Sequence, residues 1–259
     1  MLKFLVEKIA GNLLFDFERE LVNSKEFATW RNQNFLIKYT NENGEIPNLK
    51  HPESFVPVGS IEFVQEYNKR YFPNHTEGLK PLNVPEELMK FSGRNIVNIP
   101  LVGLTDTEIH KMLKTFTSQL YVKSNFNIKD ENNGILYNLL GVPVYGCQVS
   151  SYIDNILSEW RVFVFKDQVQ QVCFYNGDPL IFPNSGRIIQ MIDTYKDKSP
   201  VAYTLDVFTS TAKTHNGIEY TETYVMECHR FFSCGLYGFA DYSKLPYMFS
   251  QTWYEMINL

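Results

Sequence analysis

The chain has 259 residues, 44% of them hydrophobic and 20% charged, which suits one large or two modest packed domains and excludes a disordered or fibrous protein. Its net charge of −5 excludes a broad nucleic-acid-binding face and leaves room only for a local basic pocket. No run is long enough to span a membrane.

The first fifty residues mix short apolar runs with acids and amides, and Asn34–Tyr39 reads as a strand ending in a turn at Asn41–Gly44. Glu7 falls too early for a signal peptide. After a Pro/Gly-punctuated loop at Phe55–Ser60, Ser60 is placed as the N-cap of a helix reaching Tyr71. That helix packs on another helix or edges a cleft, and sequence does not choose between the two. Pro73, Pro81, Pro85 and Pro100 mark a surface connector. Thr105 with Glu108 three residues on is a capping box for a helix over Asp106–Phe116, whose buried stripe is Ile109, Met112, Leu113 and Phe116.

Strands follow. Gln119–Lys123 is short and apolar, a loop at Ser124–Gly134 carries Lys129, and Val142–Val149 reads as a second strand. Trp160–Phe165 alternates strictly and turns at Lys166-Asp167 into Val169–Tyr175, a hairpin on which Arg161 shares a face with Phe163 and Phe165. Asn184–Tyr195 reads as a helix. Val201–Thr209 and Thr221–His229 form a second hairpin around Asn216-Gly217, a pair suited to a two-residue type I′ turn. The sum is an α+β fold with antiparallel sheets, divided into a mixed N-terminal region over residues 1–100 and a β-rich region over 101–259.

A two-residue turn at Asn216-Gly217 sets Asp206 opposite Glu227 and Thr204 opposite His229. Glu227 and His229 then share one face, Met226 and Cys228 the other. Two facing carboxylates destabilise a sheet unless something positive lies between them, and Mg²⁺ with phosphate oxygens is one candidate. A slipped register or carboxylates splayed into solvent are the alternatives. On the repulsion argument, removing either charge leaves the fold intact.

Charges are otherwise scarce within the strands. Lys123 ends one, Arg161 sits inside another, and Glu159 adjoins it. Such residues are seldom buried unless paired or bound to something. Lys123 and Lys129 taken singly read equally as solvated lysines, Arg161 and Glu159 as a surface pair, and Tyr145, Tyr152 and Tyr237 as core aromatics. Together, two lysines, an arginine and two carboxylates are the groups that hold a nucleoside triphosphate and its metal. The Walker A and Rossmann loops, the zinc helix HExxH and the nucleophile elbow GxSxG are all missing. The four cysteines, Cys147, Cys173, Cys228 and Cys234, lack CxxC spacing and read as reduced, mostly buried thiols of a cytoplasmic protein.

Tyr121-Val122-Lys123-Ser124 with Lys129, Ser158–Val164, Leu205-Asp206-Val207 and Met226-Glu227-Cys228-His229 resemble the ATP-grasp superfamily. More narrowly they resemble its phage-associated clade named for one arginine and two lysines. Phe55–Val64 and Phe232–Phe239 look like that clade's flanking motifs, with residues 1–100 as a pre-grasp-like region. The resemblance implies two lobes with antiparallel sheets clamping ATP, and a carboxylate ligase that forms an acyl phosphate which an amine attacks. Lys123 and Lys129 would then contact phosphates, with Lys123 and Arg161 catalytic and Arg161 stabilising the transferring phosphate. Adenine would lie near Gln148, Val149 and Ser150, with Glu159 beside Arg161 or the ribose. Asp206, Glu227 and His229 would hold Mg²⁺, although many relatives carry asparagine where this chain has His229. The expected partners are ATP, a carboxylate and an amine on an amino acid, peptide or protein, in the cytoplasm of an infected cell. A binding-only relative that targets a host protein is the alternative.

Overall fold

The structure, a computed structural model, describes every residue except 32, 115, 117, 118, 132, 137–143 and 259. It opens with β1 (Lys3–Val6), α1 (Asp16–Trp30), β2 (Leu36–Tyr39), β3 (Val56–Val58) and α2 (Ile61–Tyr71). The three strands form a parallel sheet in the order β2-β1-β3. Parallel neighbours need crossovers, and α1 supplies the first. Its buried positions Phe17, Leu21, Ser24 and Ala28 recur at helical spacing, and Glu18 accepts a hydrogen bond from the Phe15 N–H that precedes the helix. Ser60 caps α2 as expected, its Oγ accepting from the Phe63 N–H at 3.1 Å.

A four-stranded antiparallel sheet comes next. It contains β4 (Ile96–Ile99), β5 (Leu120–Ser124), β6 (Gly134–Leu136) and β7 (Cys147–Ser151), ordered β4-β7-β5-β6. The helix α3 (Asp106–Leu113) has the Thr105–Glu108 capping box in place, and stops before the expected Phe116. The strand expected at Val142–Val149 is confined to β7, and residues 142 and 143 lie outside the described residues. β4 was not anticipated inside the proline-rich connector, and it brings residues before position 100 into this sheet.

The second antiparallel sheet holds β8 (Ile156–Phe165), β9 (Gln168–Gly177), β10 (Ala202–Lys213) and β11 (Glu219–Arg230), ordered β11-β10-β8-β9. α4 (Ser185–Tyr195) covers one face, with Ile188, Met191 and Ile192 packed beside Val162, Val164 and Leu205. On the other face Phe163 and Phe231 join the core of the N-terminal sheet, which α5 (Leu245–Asn258) closes through Met248, Phe249 and Trp253. The period-two alternation of β8 thus divides its side chains between two cores, and Arg161 lies on the Phe163 side.

Both hairpins form, with their turn chemistries exchanged. Lys166 and Asp167 both take positive φ, 51° and 58°, the type I′ conformation, without a glycine. At the other hairpin Thr214 and Ile218 close a three-residue loop, the Thr214 N–H reaching the Ile218 carbonyl at 2.8 Å, and only Gly217 in it is left-handed, at φ 77°. That loop sets the register one residue away from the one expected. A bulge between Asp206 and Val207, with Met226 as the extra residue opposite, restores it, so Asp206 does face Glu227 and Thr204 faces His229.

The segment joining the lobes contributes Asn83, at φ 50°. Its carbonyl accepts from the Cys228 N–H at 2.7 Å on one sheet. Its side-chain amide donates to the Ser124 carbonyl at 2.9 Å and to Asn125 Oδ1 at 2.9 Å on the other. Val84 next to it exchanges two hydrogen bonds with the Gln148 amide, 3.0 and 2.9 Å.

Candidate active site

A cavity of about 410 Å³ lies between the two antiparallel sheets. One wall carries Lys123, Gln148 and Ser150 from β5 and β7; the other carries Glu159, Arg161, Tyr175, Asp206 and Glu227 from β8, β9, β10 and β11. Period-two alternation explains the assignment. Val122 and Val149 point into the α3 core, so Lys123, Gln148 and Ser150 face the cavity. Val149, expected among the nucleotide contacts, is therefore a core side chain. Gln148 lines the cavity, yet its amide is committed to Val84 and to Asn98 Oδ1 at 3.1 Å, so it is a fixed wall.

Asp206 and Glu227 face each other as anticipated, but the positive charge between the strands belongs to the protein. Arg161, directly opposite Asp206 on β8, donates from Nε to Oδ1 at 2.8 Å and from Nη2 to Oδ2 at 2.6 Å. The pair is nearly buried, with side chains 9% and 2% exposed. Burial works against the Arg161 charge, and Asp206 more than offsets this, holding the guanidinium pKa above its usual range. Glu227 is contacted by the Lys123 ammonium from the opposite sheet and by His229 Nε2 at 3.0 Å. The facing carboxylates are thus already compensated, and the repulsion argument for a bound cation loses its premise.

The case for a metal rests instead on convergence. Asp206, Glu227 and His229 offer one ligand atom each, all within 4.8 Å of one another. Two carboxylates are the hard oxygen donors that Mg²⁺ takes alongside phosphate oxygens. Burial pushes the His229 pKa down to about 4, so at neutral pH its imidazole carries no charge to repel a cation. The donor set fits.

Arg161 is held on three further sides. Its Nη1 donates to the Gly235 carbonyl at 3.0 Å, and its guanidinium lies 5.0 Å from the Tyr237 ring and 6.0 Å from that of Tyr175. The two tyrosines stack on each other at 5.1 Å. Tyr237 and Tyr152, read as core aromatics, are 47% and 37% exposed and line the cavity. The hydroxyl of Tyr145 donates to Asp106 at 2.5 Å. Glu159 accepts from Tyr175 at 3.1 Å and from Asn176 at 2.5 Å, and it does not pair with Arg161.

Lys129 is not brought to this cavity. It is exposed, with Nζ 2.9 Å from Glu62 on α2, outside the cavity lining. A third cation stands in the cleft beside Lys123 and Arg161, Arg94, which nothing in the sequence singled out. Its Nη2 donates to the Met226 carbonyl at 2.8 Å, and its Nε has no hydrogen-bond partner. Burial lowers the Arg94 pKa to about 10 and the Lys123 pKa to about 8, with Arg94 adding to the pressure on Lys123. Arg94 thus brings to the cleft a half-buried cation whose side chain bonds, among the described residues, only to Met226, next to a Lys123 that is paired with Glu227. Met226, assigned to the Cys228 face, lines the cavity because the bulge turns it over.

Two antiparallel sheets closing on a cavity lined by cations and paired carboxylates is the ATP-grasp architecture. Residues 141–245 match the model of an ATP-grasp domain, family 2 of the clade named for one arginine and two lysines. The chain is similar in fold to the ATP-grasp ligase PsnB complexed with minimal precursor, at 9% identity and a TM-score of 0.53, over 97% of this chain and 100% of that one. It is also similar to D-alanine–D-alanine ligase from Bacillus anthracis complexed with ATP, at 13% identity and a TM-score of 0.52, over 100% and 99% of the two chains. At these identities the likeness is one of fold. No curated protein sequence matches the chain. All four cysteines are free and buried, and among the described residues no helix is long and apolar enough to cross a membrane.

Proposed function

We propose that the protein is an ATP- and Mg²⁺-dependent carboxylate–amine ligase working through an acyl phosphate. The observation that carries the reading is the grouping of Arg94, Lys123, Arg161, Asp206 and Glu227 around one cavity, with a His229 nitrogen within 4.8 Å of the two carboxylates. Arg94 and Lys123 bind the phosphates; Arg94 thereby gains an anionic partner, and Lys123 shares its charge between phosphate and Glu227. Arg161, fixed by Asp206 and the two tyrosines, stabilises charge developing on the transferring phosphate without moving a proton. Tyr152, Ile153 and Ile156 form the wall for the base, and Glu159 accepts from a ribose hydroxyl. Asp206, Glu227 and His229 would hold Mg²⁺, which supplies charge neutralisation on the phosphate oxygens. Lys129 reaches phosphate only if it leaves Glu62.

In this reading residues 1–100 are the pre-grasp-like part and 101–259 the catalytic part. The amine is carried by an amino acid, peptide or protein, and the setting is the cytoplasm of a phage-infected cell. The test is thermal unfolding with ATP, with and without Mg²⁺, on wild type and Glu227→Gln, followed by phosphate release with candidate acceptors. A rise in Tm that needs both the metal and Glu227 supports the reading. No shift under any condition overturns it.

A further inference from the structure

Arg161 has a second open side. Beyond it, away from the nucleotide cavity, lies a smaller one of about 170 Å³, and Arg161 is the residue that lines both. Lys80, Arg161 and Arg230 bring three cations to its lining, His229 adds an imidazole, and among the described residues no carboxylate lines it. Lys80 and Arg230 are tethered from outside, by Glu77 at 2.6 Å and Glu255 at 3.2 Å, and the Arg230 Nε has no hydrogen-bond partner. Ile61, Leu82 and Phe232 give it an apolar wall, and the Ser233 hydroxyl in its lining is spent on the Gly59 carbonyl.

We infer that this cavity receives the acyl substrate, a small aliphatic carboxylic acid. The inference rests on the ligase reading and adds its substrate class. Each cation has its carboxylate outside the lining, and what remains is the unpartnered Arg230 Nε and the spare N–H groups of Arg161, which call for an acceptor, while the apolar wall calls for an aliphatic tail, since a bare phosphate would leave one face unsatisfied. With a water's share of liquid volume at about 30 Å³, the cavity holds roughly six non-hydrogen atoms. That is the size of a branched five-carbon acid or a small amino acid, and not of a folded protein. The carboxylate sits against Arg161, three of whose five N–H groups are spent on Asp206 and Gly235, leaving two for the substrate. From there a carboxylate oxygen forms a bond to the γ-phosphorus as the bond to the β–γ bridging oxygen breaks, and ADP leaves with the electron pair. A nucleophilic nitrogen then bonds to the acyl carbon, phosphate departs and the nitrogen's proton goes to solvent.

Hydroxylamine in place of the amine makes this measurable as a hydroxamate. The probes are acetate, isovalerate, L-valine and a ten-residue peptide, each with Mg-ATP, on wild type, Leu82→Trp and Lys80→Glu. The expected result is hydroxamate from isovalerate or L-valine, a KM for the acid raised at least tenfold in both variants, and an unchanged thermal shift with Mg-ATP. Lys80 is half-exposed, so its variant folds even if the tryptophan is not accommodated. Wild-type KM values in the folded variants overturn the assignment. So does a wild-type protein that binds Mg-ATP yet gives hydroxamate only from the peptide or from none of the acids. A wild type that does not bind Mg-ATP fails earlier, at the ligase reading itself, and is told apart by the thermal shift.

Discussion

Arg161 and Asp206 meet as a two-pronged pair on directly opposed positions of β8 and β10, at 2.8 and 2.6 Å. The pair reverses the expectation that removing the Asp206 charge is harmless to the fold. Asp206→Asn leaves a buried guanidinium without its counter-charge and is expected to cost about 3 kcal/mol. Urea denaturation of the apo protein reads the loss, and an unchanged midpoint would show that Arg161 finds another partner.

Arg161→Lys is expected to lower turnover by about 100-fold or more, because one ammonium cannot serve Asp206, Gly235 and a phosphate oxygen together. Mg-ATP binding should change much less than kcat. Comparable losses in both would place Arg161 in ground-state binding instead.

Arg94→Met removes a cation that burial already penalises. Stability of the apo protein should hold or rise slightly. ATP affinity should fall about 10- to 100-fold, the value of one or two charge-assisted hydrogen bonds. Calorimetric titration with ATP tests this, and unaltered affinity would exclude Arg94 from phosphate binding.

Glu18 on α1 gives a pH signature independent of the cleft. Burial, with Glu7 nearby, raises its pKa from 4.5 to about 7. The folded state therefore binds more protons than the unfolded one between those values, and its contribution to stability falls as pH rises from 4.5 through about 7. Glu18→Gln, which keeps an acceptor for the Phe15 N–H, should be more stable than wild type at pH 8 by about 2–3 kcal/mol and nearly equal at pH 4. Denaturation at the two pH values reads the difference, and parallel curves would refute it.

Local chemistry made the cleft-forming strands readable. Period-two alternation in Trp160–Phe165, the caps at Ser60 and Thr105 and the Asn184 start of α4 all hold. The facing of Asp206 and Glu227 also holds, for a reason the sequence does not display. The turn is one residue longer than its Asn-Gly pair suggests, and the Met226 bulge cancels the error. What stayed hidden depends on distant segments. The parallel pairing of β1 with β2 and β3 joins residues dozens of positions apart, and the start of α5 is marked only by Pro246 in its first turn and by Asp241, which accepts from the Ser243 and Lys244 N–H groups. Arg94 precedes a short strand in a proline-rich stretch, with no spacing to mark it. Lys129 shows the converse: a lysine that fits a motif is held elsewhere by Glu62.

Five hydrogen bonds run from Asn83 and Val84 to the two sheets, two to Ser124 and Asn125, one from Cys228 and two with Gln148. Four of them hold the segment to the β5 and β7 side, so the link to the other sheet at that end is the single Cys228 bond, about 1 kcal/mol. Farther along, the sheets meet through Arg94 at the Met226 carbonyl and Lys123 at Glu227, contacts made by the same cations that phosphate would claim. At Asn83 one residue hydrogen-bonds to both sheets, whereas elsewhere in the cleft they are held by side chains that a phosphate would draw away.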